Sequence, residues 1–238
     1  MRGIREKLLV YLGAFIVVIC LGLGISSYAI ARNSLISNLK KTLPEIAIEA
    51  SNTIEERING QFGKLESIAA RSDVNDPNID FATKRQILIK EAERIGSMTL
   101  DFVDANGDVL HSDGQIFNIG DREYIKSALQ GNRVVTDPEL RKSNNTLSVR
   151  YVVPVKNGDE IIGVLLESRD GNALSEYTDE IEFGESGSAF IINKDGTSIA
   201  NKDRDAVLQY ENLITSSEND ASLEEIADVH KKMTKKVG

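Results

Sequence analysis

The sequence predicts an α+β protein: a membrane-spanning helix runs into a long amphipathic helix, and antiparallel strands follow. Three observations carry this. Leu8 to Ile30 holds no charged residue over about 23 positions, and a helix needs roughly 20 to cross the hydrocarbon core of a bilayer. From Arg32 to about Ala70, apolar residues recur in steps of three or four, from Leu35, Leu39 and Leu43 through to Ile68, which puts one apolar stripe on a helix. Beyond Met98 the apolar period shortens, and Asn157-Gly158 between two apolar stretches is a strong hairpin signal.

Arg2, Arg5 and Lys7 precede the apolar run, opposed only by Glu6. By the positive-inside rule residues 1–7 stay in the cytoplasm, 8–30 span the membrane, and residues after about 31 lie outside. A cleaved signal peptide is the rival reading, because Ala29-Ile30-Ala31 has the A-x-A form. The run is longer than the roughly 7–15 residues of a signal core, which favours an uncleaved anchor. The one cysteine, Cys20, sits inside the run as a packing residue, so no intramolecular disulfide forms. Residues 31–71 make a stalk helix that Pro44 bends rather than ends, since the stripe resumes at once. Part of that stripe is expected to seam a homodimer and part to lie along its own domain.

Ser72 to Pro77 is a turn-rich break, and Asp80 or Thr83 starts a second helix that Gly96 caps. Leu100–Val103 and Asp108–Leu110 read as strands joined through Asp104-Ala105-Asn106-Gly107. Asp121 is the expected N-cap of a short helix reaching Gln130. Thr146–Val155 and Glu160–Glu167 form the second strand pair, followed by a helix through Ile181. Ala189–Thr197 repeats the form of Leu100–Asp108, and after Ala200 only helical patterns remain, around 205–214 and 222–236. The expected domains are an α+β module over 72–182 and the start of a second module over 183–238.

Charge and motifs exclude several classes. Residues 1–31 hold three basic and one acidic residue, so of the formal −9 the rest of the chain carries −11. That balance argues against nucleic-acid binding, which needs clustered Lys and Arg. Gly184-Glu185-Ser186-Gly187-Ser188 misses the nucleophile elbow G-x-S-x-G at its last position. Asp104, Asn106 and Asp108 open like a calcium loop, but Gly107 is misplaced and no glutamate stands twelfth. His111 and His230, the only histidines, have no second ligand at metal spacing. Gly22 and Gly24 fall within the membrane run, without the strand context of a dinucleotide fingerprint. The expectation is a protein with no metal, no cofactor and no catalytic constellation.

An ordered set of segments then points to a family. Ile119-Gly120-Asp121-Arg122-Glu123-Tyr124-Ile125 with Ala128-Leu129-Gln130-Gly131, then Val153-Pro154-Val155, Ile161-Ile162-Gly163-Val164-Leu165, and Phe183-Gly184-Glu185-Ser186-Gly187 leading to Phe190 through Ala200, resemble the double Cache (dCACHE) sensor domain of bacterial membrane receptors. The resemblance is nearest to the clostridial type on methyl-accepting chemotaxis proteins. It implies a PAS-like antiparallel sheet in a membrane-distal module that binds a small ligand, a smaller membrane-proximal module, a second membrane helix, a HAMP linker and a cytoplasmic signalling domain. Against that plan the chain ends inside the proximal module, as a fragment or a truncated product.

The resemblance also implies site residues. Family members that bind amino acids hold the ligand carboxylate with an arginine and an aromatic two residues on, matched here by Arg122 and Tyr124, and the amine with an aspartate after the last strand, matched by Asp170. A guanidinium binds a carboxylate through two parallel charge-assisted bonds, and an aromatic wall keeps water out. Glu167 and Ser168 compete with Asp170 under small alignment shifts. Ile125, Phe117, Glu139 and Arg141 depart from the family's tyrosines, aromatic and aspartate. Each match has a plain structural reading too: Arg122 as a surface charge or ion pair, Tyr124 as packing, Asp170 as a cap for the helix after it. Tyr151 reads as sheet packing. The function implied is ligand sensing for a chemoreceptor; the alternatives are the same sensor on a diguanylate cyclase or histidine kinase, and a non-sensing anchored binding or structural protein.

Overall fold

The computed structural model describes residues 3–110, 114–140, 146–184 and 187–235. Arg2, His111, Arg141, Glu185-Ser186 and Lys236, which the sequence reading singled out, lie outside the described residues, as do the side chains of Arg5, Glu6 and Lys7. The chain forms two compact units, Met1–Thr53 and Ile54–Gly238.

Helix α1 spans Ile4–Ala69 and passes through Pro44 without ending. In the first unit most of its large apolar side chains are exposed, among them Leu12, Phe15, Ile16, Leu21, Leu23 and Ile25. An 18-residue window there has a mean hydropathy of 2.3 and none of it is buried, so this helix is long and apolar enough to cross a membrane. The stripe divides where the units do. Leu35 and Leu43 are exposed and Leu39, Ile46 and Ala50 half-buried, whereas Phe62, Leu65, Ile68 and Ala69 are buried in the core of the second unit.

The expected break at 72–77 contains a single helical turn, α2 (Ser72–Asn75). Helix α3 (Phe81–Ile95) starts where its cap predicts: Asp80 Oδ1 accepts from the Thr83 amide at 2.9 Å, and Gly96 ends it at φ 73°. Strands β1 (Thr99–Asp104), β2 (Asp108–Leu110) and β3 (Ile116–Asn118) follow. Helix α4 is Glu123–Leu129. Strands β4 (Val134–Val135) and β5 (Glu139–Leu140) are short, and β6 (Leu147–Asn157) and β7 (Glu160–Asp170) form the long central hairpin. The sheet is antiparallel, in the order β3-β2-β1-β7-β6-β4, with β5 also on β6.

Alternation along β6 and β7 builds two cores, one on each face. Val149, Tyr151, Val153, Val155 and Leu165 pack with Leu100 and Phe102 beneath α1 and α3. Val152, Val164 and Leu166 pack with Val103 beneath Ile125 and Ala128 of α4. Glycine lets the central strands close: a Cβ on Gly163 would sit 2.3 Å from the Val103 carbonyl oxygen.

Helix α5 (Ala173–Asp179) leads to two small hairpins, β8 (Glu182–Phe183) with β9 (Gly187–Ser188), and β10 (Ile191–Ile192) with β11 (Ser198–Ala200). Helices α6 (Arg204–Leu208), α7 (Leu213–Ser216) and α8 (Glu224–Thr234) complete the described chain. The repeated strand–turn–strand at 189–197 is therefore a real hairpin.

Two expectations needed correction. Asp121 is not the N-cap of α4. The Arg122 amide donates to the Ile119 carbonyl at 3.1 Å, turning the chain through Asp121, and the Arg122 carbonyl accepts from Ile125 and Lys126 at 3.0 Å each, so Arg122 is the cap residue. Strand β7 runs three residues past Glu167, because β6 already offers Val149 and Ser148 as partners for Arg169 and Asp170.

Candidate functional site

The face of the sheet beneath α4 changes character along the strands, and pairing register shows where. In one row Asp101 of β1 stands opposite Leu166 of β7, which pairs with Val152 of β6, which pairs with Val134 of β4. In the next row Thr99 pairs with Ser168, and Ser168 with Arg150; the Thr136 amide donates to the Arg150 carbonyl at 2.9 Å. One row further, Asp170 pairs with Ser148. Side chains two apart along a strand share a face, so an apolar floor under α4 grades into a polar end formed by Ser168, Arg150, Ser148 and Asp170.

The sequence-matched residues divide around this floor. Tyr124, half-buried in the first turn of α4, packs on the apolar end. Its ring lies 5.5 Å from the Arg150 guanidinium carbon, a cation–π distance. Arg122, at the cap, is 55 % exposed with its Nε 3.7 Å from Asp121 Oδ1. Asp170 is exposed at the end of β7, on the same face, and one carboxylate oxygen accepts from the Asn172 amide at 2.8 Å. Arg122 and Tyr124 thus share one helical turn, and Asp170 shares the sheet face on which Tyr124 packs. Part of the Asp170 carboxylate closes the turn before α5, but Asp170 is not that helix's cap: the cap residue is Asn172, whose own side chain makes no capping bond.

Arg150 is the residue that sequence reasoning missed. It is 15 % exposed and donates to Glu139 Oε2 at 2.8 Å, while its amide donates to Thr136 Oγ1 at 3.1 Å. A charged residue between Val149 and Tyr151, in a strand otherwise apolar or small from 147 to 155, was the available signal. Such an arginine on a half-buried face must find an anion or an aromatic ring, and here it finds both. The departures from the family have structural places as well. Ile125 is fully buried in the second core. Tyr151 meets Phe62 edge-on at 5.5 Å on the opposite face, where burial raises the pKa of its phenol.

The approach to α4 is set by backbone. Asp104 Oδ1 accepts from the Asn106 and Asp108 amides at 2.9 Å each, so these residues close a turn on themselves. The Ile119 amide donates to the Gly107 carbonyl at 2.8 Å, and Asn118 Nδ2 donates to the Asn106 carbonyl at 2.9 Å. Gly107 has φ 89°, and a Cβ there would lie 2.4 Å from Gly120 Cα. The β1–β2 turn is thereby fastened to the segment that carries Arg122.

The rim of the polar end is tied to the β10–β11 hairpin and to the segment after α6. Asn193 Nδ2 donates to Asp137 Oδ2 at 2.9 Å, and the Leu140 amide donates to the Tyr210 hydroxyl at 2.7 Å. Behind the floor, Glu167 is fully buried on the α1 side. Gln61 Nε2 of α1 donates to both its oxygens at 2.8 Å, Ser97 Oγ donates to one of them, and the Arg169 guanidinium lies 3.8 Å away. Among the described residues, no group of three or more His, Cys, Asp or Glu side chains is placed to hold a metal ion.

Comparison with known proteins agrees with this architecture. The Cache domain family model matches residues 27–236. The methyl-accepting chemotaxis protein McpA of Bacillus subtilis is 25 % identical over 217 residues, covering 84 % of this chain and 31 % of McpA; the chain spans about a third of that relative's length. Among solved structures, the ligand-binding domain of the Pseudomonas fluorescens chemoreceptor CtaA in complex with L-serine superposes with a TM-score of 0.61 at 18 % identity, over 77 % of this chain and 80 % of that one. The ligand-binding domain of the Pseudomonas aeruginosa amino acid chemoreceptor PctC in complex with GABA gives a TM-score of 0.59 at 18 % identity, over 75 % and 81 %. The Campylobacter jejuni chemoreceptor Tlp3 domain in complex with 4-methylisoleucine gives 0.55 at 15 % identity, over 68 % and 69 %.

Proposed function

The chain belongs to the Cache domain family, and from that premise we propose that it is the extracytoplasmic sensing part of a membrane chemoreceptor, without catalytic activity of its own. Residues 72–182 are the ligand-binding module. Residues 183–238 belong to a second module nearer the membrane, residues 8–30 anchor the chain in the bilayer with the N-terminus in the cytoplasm, and 31–71 form the stalk. The ligand is an amino acid or another small carboxylate. The observation that carries this reading is the graded sheet face: α4 covers its apolar end, and Arg150 is held beside Tyr124 at the polar end. Arg122 and Arg150 offer the carboxylate two guanidinium groups, Tyr124 walls the site, and Asp170 takes an amine through its remaining lone pairs.

Transmission follows from what the same strand does on its other side. Ser168 and Asp170 face the site, while Glu167 between Leu166 and Ser168 faces α1 and is gripped by Gln61. A ligand that favours one position of β7 over another biases the helix behind it, provided its affinity differs between the two states. The stripe through Leu35, Leu39, Leu43 and Ile46, exposed or half-buried in one copy, suits pairing with a second copy of the chain.

Calorimetric titration of the full chain in detergent with L-amino acids, GABA and short organic acids tests the reading. Saturable binding that falls about tenfold or more in Arg122→Ala and in Tyr124→Ala supports it. Binding unaffected by either change refutes the site assignment. Dependence on a ligand's carboxylate but not on its amine would remove Asp170 from the site and leave the carboxylate half standing.

A further inference from the structure

A second cleft lies on the opposite side of the sheet from Tyr124, beside the start of α3. It encloses about 250 Å³ and is walled by Ile79, Phe81, Phe102 and Ile162, with Lys84 inside and Asp80 and Asp104 at its lining. Phe81 and Phe102 stand with ring centroids 5.9 Å apart. Lys84 is only 2 % exposed, and its ammonium lies 4.1 Å from the Phe102 ring centroid. Among the described residues no carboxylate comes within ion-pair distance of it; Asp76 reaches it only through space.

The two lining carboxylates are engaged elsewhere. Asp80 accepts from the Thr83 amide and hydroxyl, each at 2.9 Å. Asp104 accepts from the Asn106 and Asp108 amides at 2.9 Å and from Asn106 Nδ2 at 3.3 Å. A buried ammonium without a hydrogen-bonded anion is costly, and burial accordingly lowers the pKa of Lys84.

We propose that this cleft is a second ligand site, one that takes a small apolar monocarboxylate with its carboxylate on the Lys84 ammonium and its hydrocarbon against Phe81, Phe102 and Ile162. The ligand supplies the anion that the fold withholds from Lys84. Asp80 and Asp104 disfavour a second negative charge, so dicarboxylates are rejected. The volume lies below the roughly 300–1,000 Å³ of sites for drug-sized molecules, which limits the tail to a short branched or single-ring group. The site is separate from the one under α4 and does not depend on it.

The test is calorimetric titration of the full chain in detergent with benzoate and isobutyrate, with benzamide and isobutyramide as uncharged counterparts and succinate as the dianion. The expected result is saturable binding of the monocarboxylates only, weakened about tenfold or more in Lys84→Met and unchanged in Arg122→Ala and Tyr124→Ala. Equal binding in Lys84→Met, equal binding of the amides, no saturable binding, or loss of benzoate binding in Arg122→Ala each overturns the proposal. Reductive ¹³C-methylation of the lysines provides a readout that needs no folded variant. One dimethyl-lysine resonance of lowered pKa must shift on benzoate addition and stay still with benzamide; a spectrum in which none responds also overturns it.

Discussion

The two faces of the central hairpin are built from the same eleven-residue strands, yet they are finished differently. On the side of α1 and α3, β6 and β7 contribute Val149, Tyr151, Val153, Val155 and Leu165 to the larger core, and even the one acidic residue there, Glu167, is fully buried and hydrogen-bonded. On the side of α4 the core is a handful of residues, and beyond it come serines, Arg150 and Asp170. Packing uses up one face and leaves the other with polar groups to spend on something else. A sensor needs both: a face that holds a helix firmly and a face whose contacts a ligand can complete.

Adjacent leucines on opposite faces give the strongest way to break that contrast. Leu165→Ala is expected to cost about 4 kcal/mol and Leu166→Ala about 2 kcal/mol, the upper and lower parts of the range for buried leucines, read from urea midpoints at constant m-value. Equal costs would mean that the two cores are equally tight. Next is Glu167→Ala, expected to cost about 3 kcal/mol because Gln61, Ser97 and Arg169 lose a buried acceptor; Glu167→Gln should recover more than half of that. If the alanine variant is as stable as the parent, the grip on α1 is not structural.

Arg150→Met sharpens the contrast from the other side. With a methionine keeping the contact on Tyr124, stability should fall by about 1 kcal/mol or less, while affinity for a carboxylate ligand falls about tenfold. A large stability loss with affinity preserved would make Arg150 part of the frame. The smallest effect concerns acid. Arg71 donates to Asp73 and Glu91, both at 2.6 Å; its bonds hold the Asp73 carboxyl below its ordinary pKa, and Arg94 first, then Arg71, hold that of Glu91 down. With the folded values depressed, this stabilisation is complete above about pH 4.5 and is lost as pH falls through the folded values. Arg71→Ala should therefore lower stability near neutral pH by under about 1 kcal/mol and flatten its decline below pH 4.5; an unchanged acid limb would show that the network is screened out.

How much of this was legible in the sequence depends on the length scale of each signal. The apolar run, the caps Asp80 and Gly96, and the Asn157-Gly158 hairpin are local signals, and the structure has each in place. Strands β4 and β5, of two residues each, are too short to show a period. The candidate site was half legible. Arg122, Tyr124 and Asp170 came from resemblance, whereas Arg150 enters only through register, which pairs it with Ser168 and sets it against Tyr124, a residue 26 positions earlier. Long-range pairing of that kind leaves no local mark. Glu167 and Gln61, 106 residues apart, illustrate the same limit.

The contact between Gly107 and Gly120 bears on how the proposed site could change its ligand. Arg122 follows two residues after a glycine packed against Gly107, so its place in space is set by that backbone contact together with the Asn118 side-chain amide that bonds both sides of it. A library over Arg122, Tyr124, Arg150 and Asp170 can vary charge and shape freely, because none of these side chains holds the backbone that presents Arg122. If the proposed site holds, new specificity at those four positions requires that two residues without side chains stay as they are.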